Sequence, residues 1–414
     1  MEAPRLDWRC KGVPARAEGL SSRELAKLDL RLTGGELLTP FAVLRESALR
    51  HNIAAMQAFA DRVGARLCPH GKTSMSPELF AMQLAAGAWG MTAATAHHVR
   101  VYRRFGIERI LLANQLVAQA DLDWVIVELK RDAGFDFYCL ADSVGLVERL
   151  AAAAAGAGLE RPLQLLVETG VRDGRTGARD VDEALAVARA IAAAGPSLAL
   201  RGVETFEGVR QTGDDARSGA AEMVALAVAS GEAILREGLL ADGPLLMSAG
   251  GSAFLEICAA GLPGQIGCRA VEKVIRPGCY VTHDHGLYQR LMRVGGEGVP
   301  RLRPAIEVWG VVQSLPEPGL AIVGIGKRDV SNDAGLPRPI RVWRPGSGEC
   351  SVEGLQVAGL WDQHAGVACP EGALRLGDLV AFGISHPCAT FDRWRTLFTA
   401  DDEDRMTGFV ATIF

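Results

Sequence analysis

The chain has 414 residues, 49% hydrophobic and 22% charged, the balance of a globular protein and not of a disordered or fibrous one. A formal net charge of -5, with no basic tail and no Lys/Arg block, argues against nucleic acid or an anionic membrane as partner. The amino terminus (MEAPRLDWRCKG) lacks an apolar core and the nine cysteines are scattered without a CxxC pair, so a cytoplasmic protein with reduced thiols is expected. No run is expected to cross a membrane; residues 181–195 (VDEALAVARAIAAAG) are too few and carry Asp182, Glu183 and Arg189.

The length implies two domains. Residues 1–45 are expected to form an N-terminal segment packing with a C-terminal β domain, which the early strand at 40–47 (PFAVLRES) would join. From 46 to 276, short apolar runs rich in β-branched residues alternate with helical stretches. Strand cores are placed at 65–69, 90–95, 109–114, 135–141, 163–169, 199–206, 244–249 and 267–274. Amphipathic helices fall at 77–88, opened by Pro77 with Glu78 in its first turn, and at 215–238. Eight such repeats point to a (β/α)8 barrel of the TIM type rather than an open sheet. From 277 to 414 the runs at 305–315, 319–326, 339–346, 351–362, 377–383 and 407–414 read as strands separated by Pro/Gly turns, hence an antiparallel β domain.

In such a barrel the functional groups sit at the carboxyl ends of the strands. After the first strand comes Pro69-His70-Gly71-Lys72-Thr73, after the third Asn114 and Gln115, after the fifth Arg172–Arg175, after the sixth Glu207-Gly208. The seventh ends in Ser248-Ala249-Gly250-Gly251-Ser252, which is expected to open directly into a helix. Two glycines before a helix amino end suit an anion such as phosphate, and equally a tight turn. Lys72, on the rim, is either a nucleophilic amine held in the mouth or an ordinary solvated loop lysine. His386-Pro387-Cys388 places an imidazole and a thiol two residues apart; an extended segment would aim both at one soft ion such as zinc, whereas the plain reading is a kinked strand end with a buried cysteine. His283-Asp284-His285 has the same spacing and reads as polar lining, and His97-His98 as the start of a helix.

The Pro69–Thr73 run, Ala113-Asn114-Gln115, the Ser248–Ser252 turn, Pro277-Gly278-Cys279-Tyr280 and His386-Pro387-Cys388 occur in an order that resembles the D-serine dehydratase and D-threonine aldolase family. That family belongs to the alanine-racemase fold type (fold type III) of pyridoxal-phosphate enzymes, and the likeness runs from about residue 40 to the end. The resemblance implies Lys72 as the catalytic residue and covalent anchor of pyridoxal 5'-phosphate. It implies that Gly250, Gly251, Ser252 and Tyr280 hold the phosphate, that Arg175 lies near the ring, and that His70, Asn114, Gln115 and Ser248 complete the cofactor site. His386 and Cys388 resemble the zinc site of D-serine dehydratase, whereas the aldolase branch tends to His-x-Asp. This chain departs from the family at Ser74, Phe206, His98 and Ile384-Ser385, where histidine, tyrosine, an acid and Pro-Asn are frequent.

The implied activity is a PLP- and Zn2+-dependent dehydratase of D-serine-like D-3-hydroxy amino acids, giving a 2-oxo acid and ammonia. A metal-dependent retro-aldol lyase and a non-catalytic PLP-binding protein are the alternatives. The fold type also implies a homodimer with shared active sites.

Overall fold

In the computed structural model, residues 4–210, 216–293 and 298–414 are described. The first half builds one parallel sheet from β2 (Ala65–Leu67), β3 (Met91–Ala93), β4 (Arg109–Gln115), β5 (Asp136–Ala141), β6 (Leu163–Thr169), β7 (Leu198–Thr205), β8 (Leu245–Ala249) and β10 (Arg269–Ile275). A two-residue hairpin strand, β9 (Gln265–Ile266), pairs with β10. The order is β2-β10-β8-β7-β6-β5-β4-β3, and a parallel bridge between His70 and Thr92 brings the two ends together, closing the barrel. Each of the eight expected strands is present to within a few residues.

Side-chain alternation explains the two barrel cores. Successive residues of a strand face opposite sides. Cys68, Leu111, Tyr138, Leu140, Leu166, Leu246 and Val274 fill the interior, while the intervening Ile110, Leu112, Phe137, Cys139, Leu165, Val167, Leu245 and Met247 pack outward against the helices. Gly202 belongs to the inner layer for a steric reason: a Cβ there would lie 1.7 Å from the carbonyl oxygen of Leu246. The helix Ala216–Arg236 corrects one expectation, because its length and composition would suit a membrane span. Half of that apolar window is buried within the protein, with Ala220, Val224, Ala227 and Ile234 inside, so it is a core helix of the barrel wall.

The second sheet has ten strands: β1 (Phe41–Arg45), β11 (Ile306–Glu317), β12 (Leu320–Val323), β13 (Arg338–Arg344), β14 (Gly348–Cys350), β15 (Gln356–Leu360), β16 (Ala365–Ala368), β17 (Leu379–Gly383), β18 (Thr396–Ala400) and β19 (Met406–Ala411). Pairing is antiparallel except between β1 and β18. Alternation again divides the faces. Phe41, Val43, Trp309 and Phe398 turn to a core shared with Leu6, Leu25, Leu30 and Leu32 of the N-terminal segment. Ala42, Leu44, Val308 and Leu397 turn the other way, toward the helix Glu46–Arg62 and the barrel strands β2 and β10. Arg45 closes β1 with a bidentate pair to Glu307 (2.8 Å) and a bond to Asp404 (2.6 Å), all nearly buried.

Candidate active site

The cavity at the carboxyl end of the barrel follows from the same two-residue period. One step beyond the inner apolar layer, Cys68 gives way to His70, Leu111 to Ala113, Leu166 to Glu168, Gly202 to Glu204, Leu246 to Ser248 and Val274 to Arg276. The strand register sets these side by side, with Glu168 opposite Glu204, Glu204 opposite Ser248, and Ser248 opposite Val274. Of this ring, His70, Ala113, Glu168, Glu204 and Arg276 line a cavity of about 250 Å³, together with Asn114 near the end of β4 and Lys72, Arg175, Phe206, Gly250 and Gly251 from the loops.

The ring is a charge network in a dry setting. Arg276, 2% exposed, donates to Glu204, to Ser248 and to the carbonyl of Thr205 (3.2 Å). Burial lifts the Glu204 carboxyl to about 8 against the pull of Arg276, and its Oε2 has no partner. Glu168, also raised by burial, accepts from Thr176 Oγ1 (2.8 Å) and from Gln115. His70 is pushed well below the ordinary imidazole value by burial, with Lys72 and Arg276 adding to the effect, so it is a neutral ring; its Nδ1 is unpartnered.

Lys72 sits in the turn Gly71–Thr73 that leaves β2, with its side chain exposed at the cavity mouth. Asn114 and Gln115 part company because a register irregularity between Leu112 and Gln115 interrupts the β4–β5 pairing, which resumes with Gln115 opposite Leu140. Asn114 stays at the cavity, donating to Ala94 O (2.9 Å), while Gln115 turns to Glu168. The Arg175 guanidinium lies 4.7 Å above the Phe206 ring. Phe206 in turn covers Gly251, where a Cβ would stand 2.8 Å from its Cε2.

Three features differ from the sequence reading. The Ser248–Ser252 turn does not open directly into a helix; the helix begins at Leu255 and has seven residues. Gly251 N donates to Glu207 Oε1 (2.8 Å), a fully buried carboxyl raised by burial whose Oε2 is unpartnered. Tyr280 is 2% exposed and packs in the core between barrel and β sheet, its hydroxyl accepting from Gln83 Nε2 (2.9 Å), and it does not line the cavity. Ser252 sits behind the turn, its Oγ accepting from Gly278 N (3.2 Å) and Cys279 N (3.1 Å).

His386 and Cys388 are brought together by a helical turn rather than by an extended segment, since Pro387 is helical and Cys388 opens the helix Cys388–Phe391. Cys279, from the turn after β10, joins them: the ligand atoms of Cys279, His386 and Cys388 lie within 4.8 Å of one another. Cys388 Sγ is also 3.4 Å from Thr73 Oγ1, next in sequence to Lys72. His386 Nδ1 meets Asp333 Oδ2 at 2.6 Å. The Asp284 carboxylate is occupied by backbone N–H groups of Gly286 (2.8 Å) and Tyr288 (3.1 Å), and His285 packs against Gly383, where a Cβ would stand 2.4 Å from its ring. Both therefore serve the local fold. Sequence reasoning missed Glu168, Glu204, Arg276 and Cys279; the signal for the first three is a charge interrupting an otherwise apolar strand-end run.

Comparison with known proteins agrees with this architecture. Residues 44–258, just over half of the chain, match the family described as "Alanine racemase, N-terminal domain", and residues 305–400 match "Putative serine dehydratase domain". The chain is 30% identical over 370 residues to D-threo-3-hydroxyaspartate dehydratase of Delftia sp. (strain HT23), covering 85% of this chain and 91% of that one. It is 27% identical over 349 residues to 3-hydroxy-D-aspartate aldolase of Paracoccus denitrificans (strain Pd 1222), covering 83% of each. Among solved structures, D-threonine aldolase from Filomicrobium marinum superposes with a TM-score of 0.78 at 22% identity, over 93% of this chain and 97% of that one. The chain belongs to the family of fold type III pyridoxal-phosphate enzymes that holds these D-3-hydroxyaspartate dehydratases and aldolases and D-threonine aldolases.

Proposed function

We propose that the protein is a PLP- and zinc-dependent dehydratase of D-3-hydroxy amino acids, D-serine-like in chemistry, releasing a 2-oxo acid and ammonia. The observation that carries this reading is the soft His386/Cys388 donor pair set against Thr73, one residue from Lys72. The residues present fit both groups. The cavity offers a primary amine at its mouth, a glycine turn that no side chain fits beneath Phe206, and unpartnered buried atoms at His70 Nδ1 and Glu204 Oε2. For a phosphate to take the Gly251 N–H, Glu207 must release it. Thiol and imidazole suit zinc better than magnesium or calcium. One solved structure of a D-threo-3-hydroxyaspartate dehydratase is a cysteine-to-alanine variant in a metal-free form.

Lys72 would anchor the cofactor, with Gly250, Gly251 and Ser252 at its phosphate; Tyr280 would support that turn from behind rather than touch the phosphate. Bound there, the cofactor supplies an electron sink for charge developing at Cα, and the ion a Lewis acid for the β-hydroxyl as it leaves. Lys72 Nζ, freed when the substrate amine displaces it, would accept the Cα proton. His70, neutral, and Glu204, largely protonated near neutrality, line the cavity floor without adding a full negative charge to it. Arg175 offers the exposed cation at the rim for a substrate carboxylate. We place the enzyme in the cytoplasm as a homodimer; a fully active monomer by light scattering would contradict the assembly.

A retro-aldol reading is favoured by one observation, that the Paracoccus relative is an aldolase. A panel of D-3-hydroxy amino acids separates the two. Ammonia and 2-oxo acid in equal amounts are expected, both abolished by chelation. Glycine with an aldehyde as the main products would overturn the dehydratase assignment.

A further inference from the structure

We propose that Cys279 is a third protein ligand of the metal, making a Cys2His centre with a single open position. This rests on the reading that His386 and Cys388 hold zinc, and adds to it a residue from the barrel.

Around a tetrahedral zinc with Zn–S of about 2.3 Å, two sulfur ligands stand about 3.8 Å apart. Cys279 Sγ and Cys388 Sγ are 3.4 Å apart, close to that separation. All three donor atoms fall within 4.8 Å of one another, the envelope of one coordination sphere.

The surroundings support the same count. Asp333 engages His386 Nδ1, which leaves Nε2 for an ion; a carboxylate behind a ligating histidine fixes the ring in this way. The nearby hard donor, Asp284, is satisfied by backbone N–H groups, so the free donors at this place are soft. Cys279 is 4% exposed and held on the backbone side by Ser252 Oγ, so its thiol direction is set by the barrel and not by solvent. Because Cys279 follows β10 while His386 and Cys388 follow β17, one ion would tie the barrel mouth to the β sheet next to Lys72.

The consequence is chemical. Two thiolates and a neutral imidazole neutralise a divalent ion, whereas one thiolate leaves it singly positive. Three protein ligands also leave one position for the substrate oxygen, the arrangement of catalytic zinc sites. The site should therefore take zinc, cobalt or cadmium and discriminate against manganese and magnesium.

The test uses the intact holoenzyme. X-ray absorption at the zinc edge of the wild type should give two sulfur scatterers; one sulfur overturns the proposal while leaving zinc at His386/Cys388 standing. After cobalt substitution, Cys279→Ser should lose about half of the sulfur-to-cobalt charge-transfer intensity and bind metal at least about 100-fold more weakly, the scale of losing one of four ligands. Unchanged intensity and affinity in Cys279→Ser, alongside their loss in Cys388→Ser, also defeats the proposal and spares the underlying reading. If Cys388→Ser too leaves both unchanged, the zinc reading itself fails.

Discussion

Replacing Glu204 by glutamine tests whether the floor of the cavity carries a proton. Glu204 is 1% exposed, and burial raises its carboxyl from 4.5 to about 8 despite Arg276. A carboxyl whose folded value lies above its unfolded value binds the proton more tightly in the native state. Native stability is then full below about pH 4.5 and is lost progressively as pH rises toward about 8. The loss amounts to roughly 4–5 kcal/mol over that window, with about 2–3 kcal/mol of it between pH 5 and 7. Glu204→Gln is nearly isosteric and keeps an oxygen for the Arg276 guanidinium, but cannot ionise. Its stability relative to wild type, read from urea unfolding of the cofactor-free protein, should rise by about 2–3 kcal/mol between about pH 5 and 7 and level off above about pH 8. A difference that stays constant across that range would refute the reasoning, because it would mean that Glu204 is ionised throughout and simply paired with Arg276.

Other perturbations have equally definite outcomes. Gly251→Ala puts a Cβ 2.8 Å from Phe206 Cε2, which should cost about 1–3 kcal/mol and weaken cofactor retention, and Phe206→Ala in the same chain should restore melting temperature. Arg45→Met leaves the nearly buried Glu307 with Trp309 Nε1 as its remaining side-chain donor, while Asp404 keeps Arg341, so the urea midpoint should fall by the equivalent of about 3 kcal/mol; an unchanged midpoint would show the Arg45–Glu307 pair to be energetically idle. Chelation should stop ammonia release while leaving the cofactor's visible absorbance in place, and loss of both together would show that the metal also holds the cofactor.

The barrel was legible because its strands are the apolar, β-branched runs of the first half and its helices the amphipathic intervals. Period-two alternation also carries the cavity floor: Glu168, Glu204 and Arg276 are the inner positions of β6, β7 and the end of β10, one step past Leu166, Gly202 and Val274. What the sequence withheld lies in turns and short strands. The strands Gly348–Cys350, Ala365–Ala368 and Thr396–Ala400 are three to five residues long, too short for alternation to register. Cys279 and Tyr280 are neighbours in a 3-10 turn, whose successive side chains point about 120° apart. Only the structure assigns the thiol to the His386/Cys388 cluster and the phenol to Gln83. The Ser248–Ser252 turn was recognisable by its glycines, but Glu207, which occupies its Gly251 N–H, comes from another loop and no local pattern announces it.

Lys72 is the proposed anchor of pyridoxal phosphate at the barrel mouth. Borohydride reduction of the purified holoenzyme followed by peptide mapping tests it most directly. The account predicts one pyridoxyl group per chain, on the peptide bearing Lys72, and none in Lys72→Ala. A label on another lysine, or equal labelling of Lys72→Ala, would contradict it.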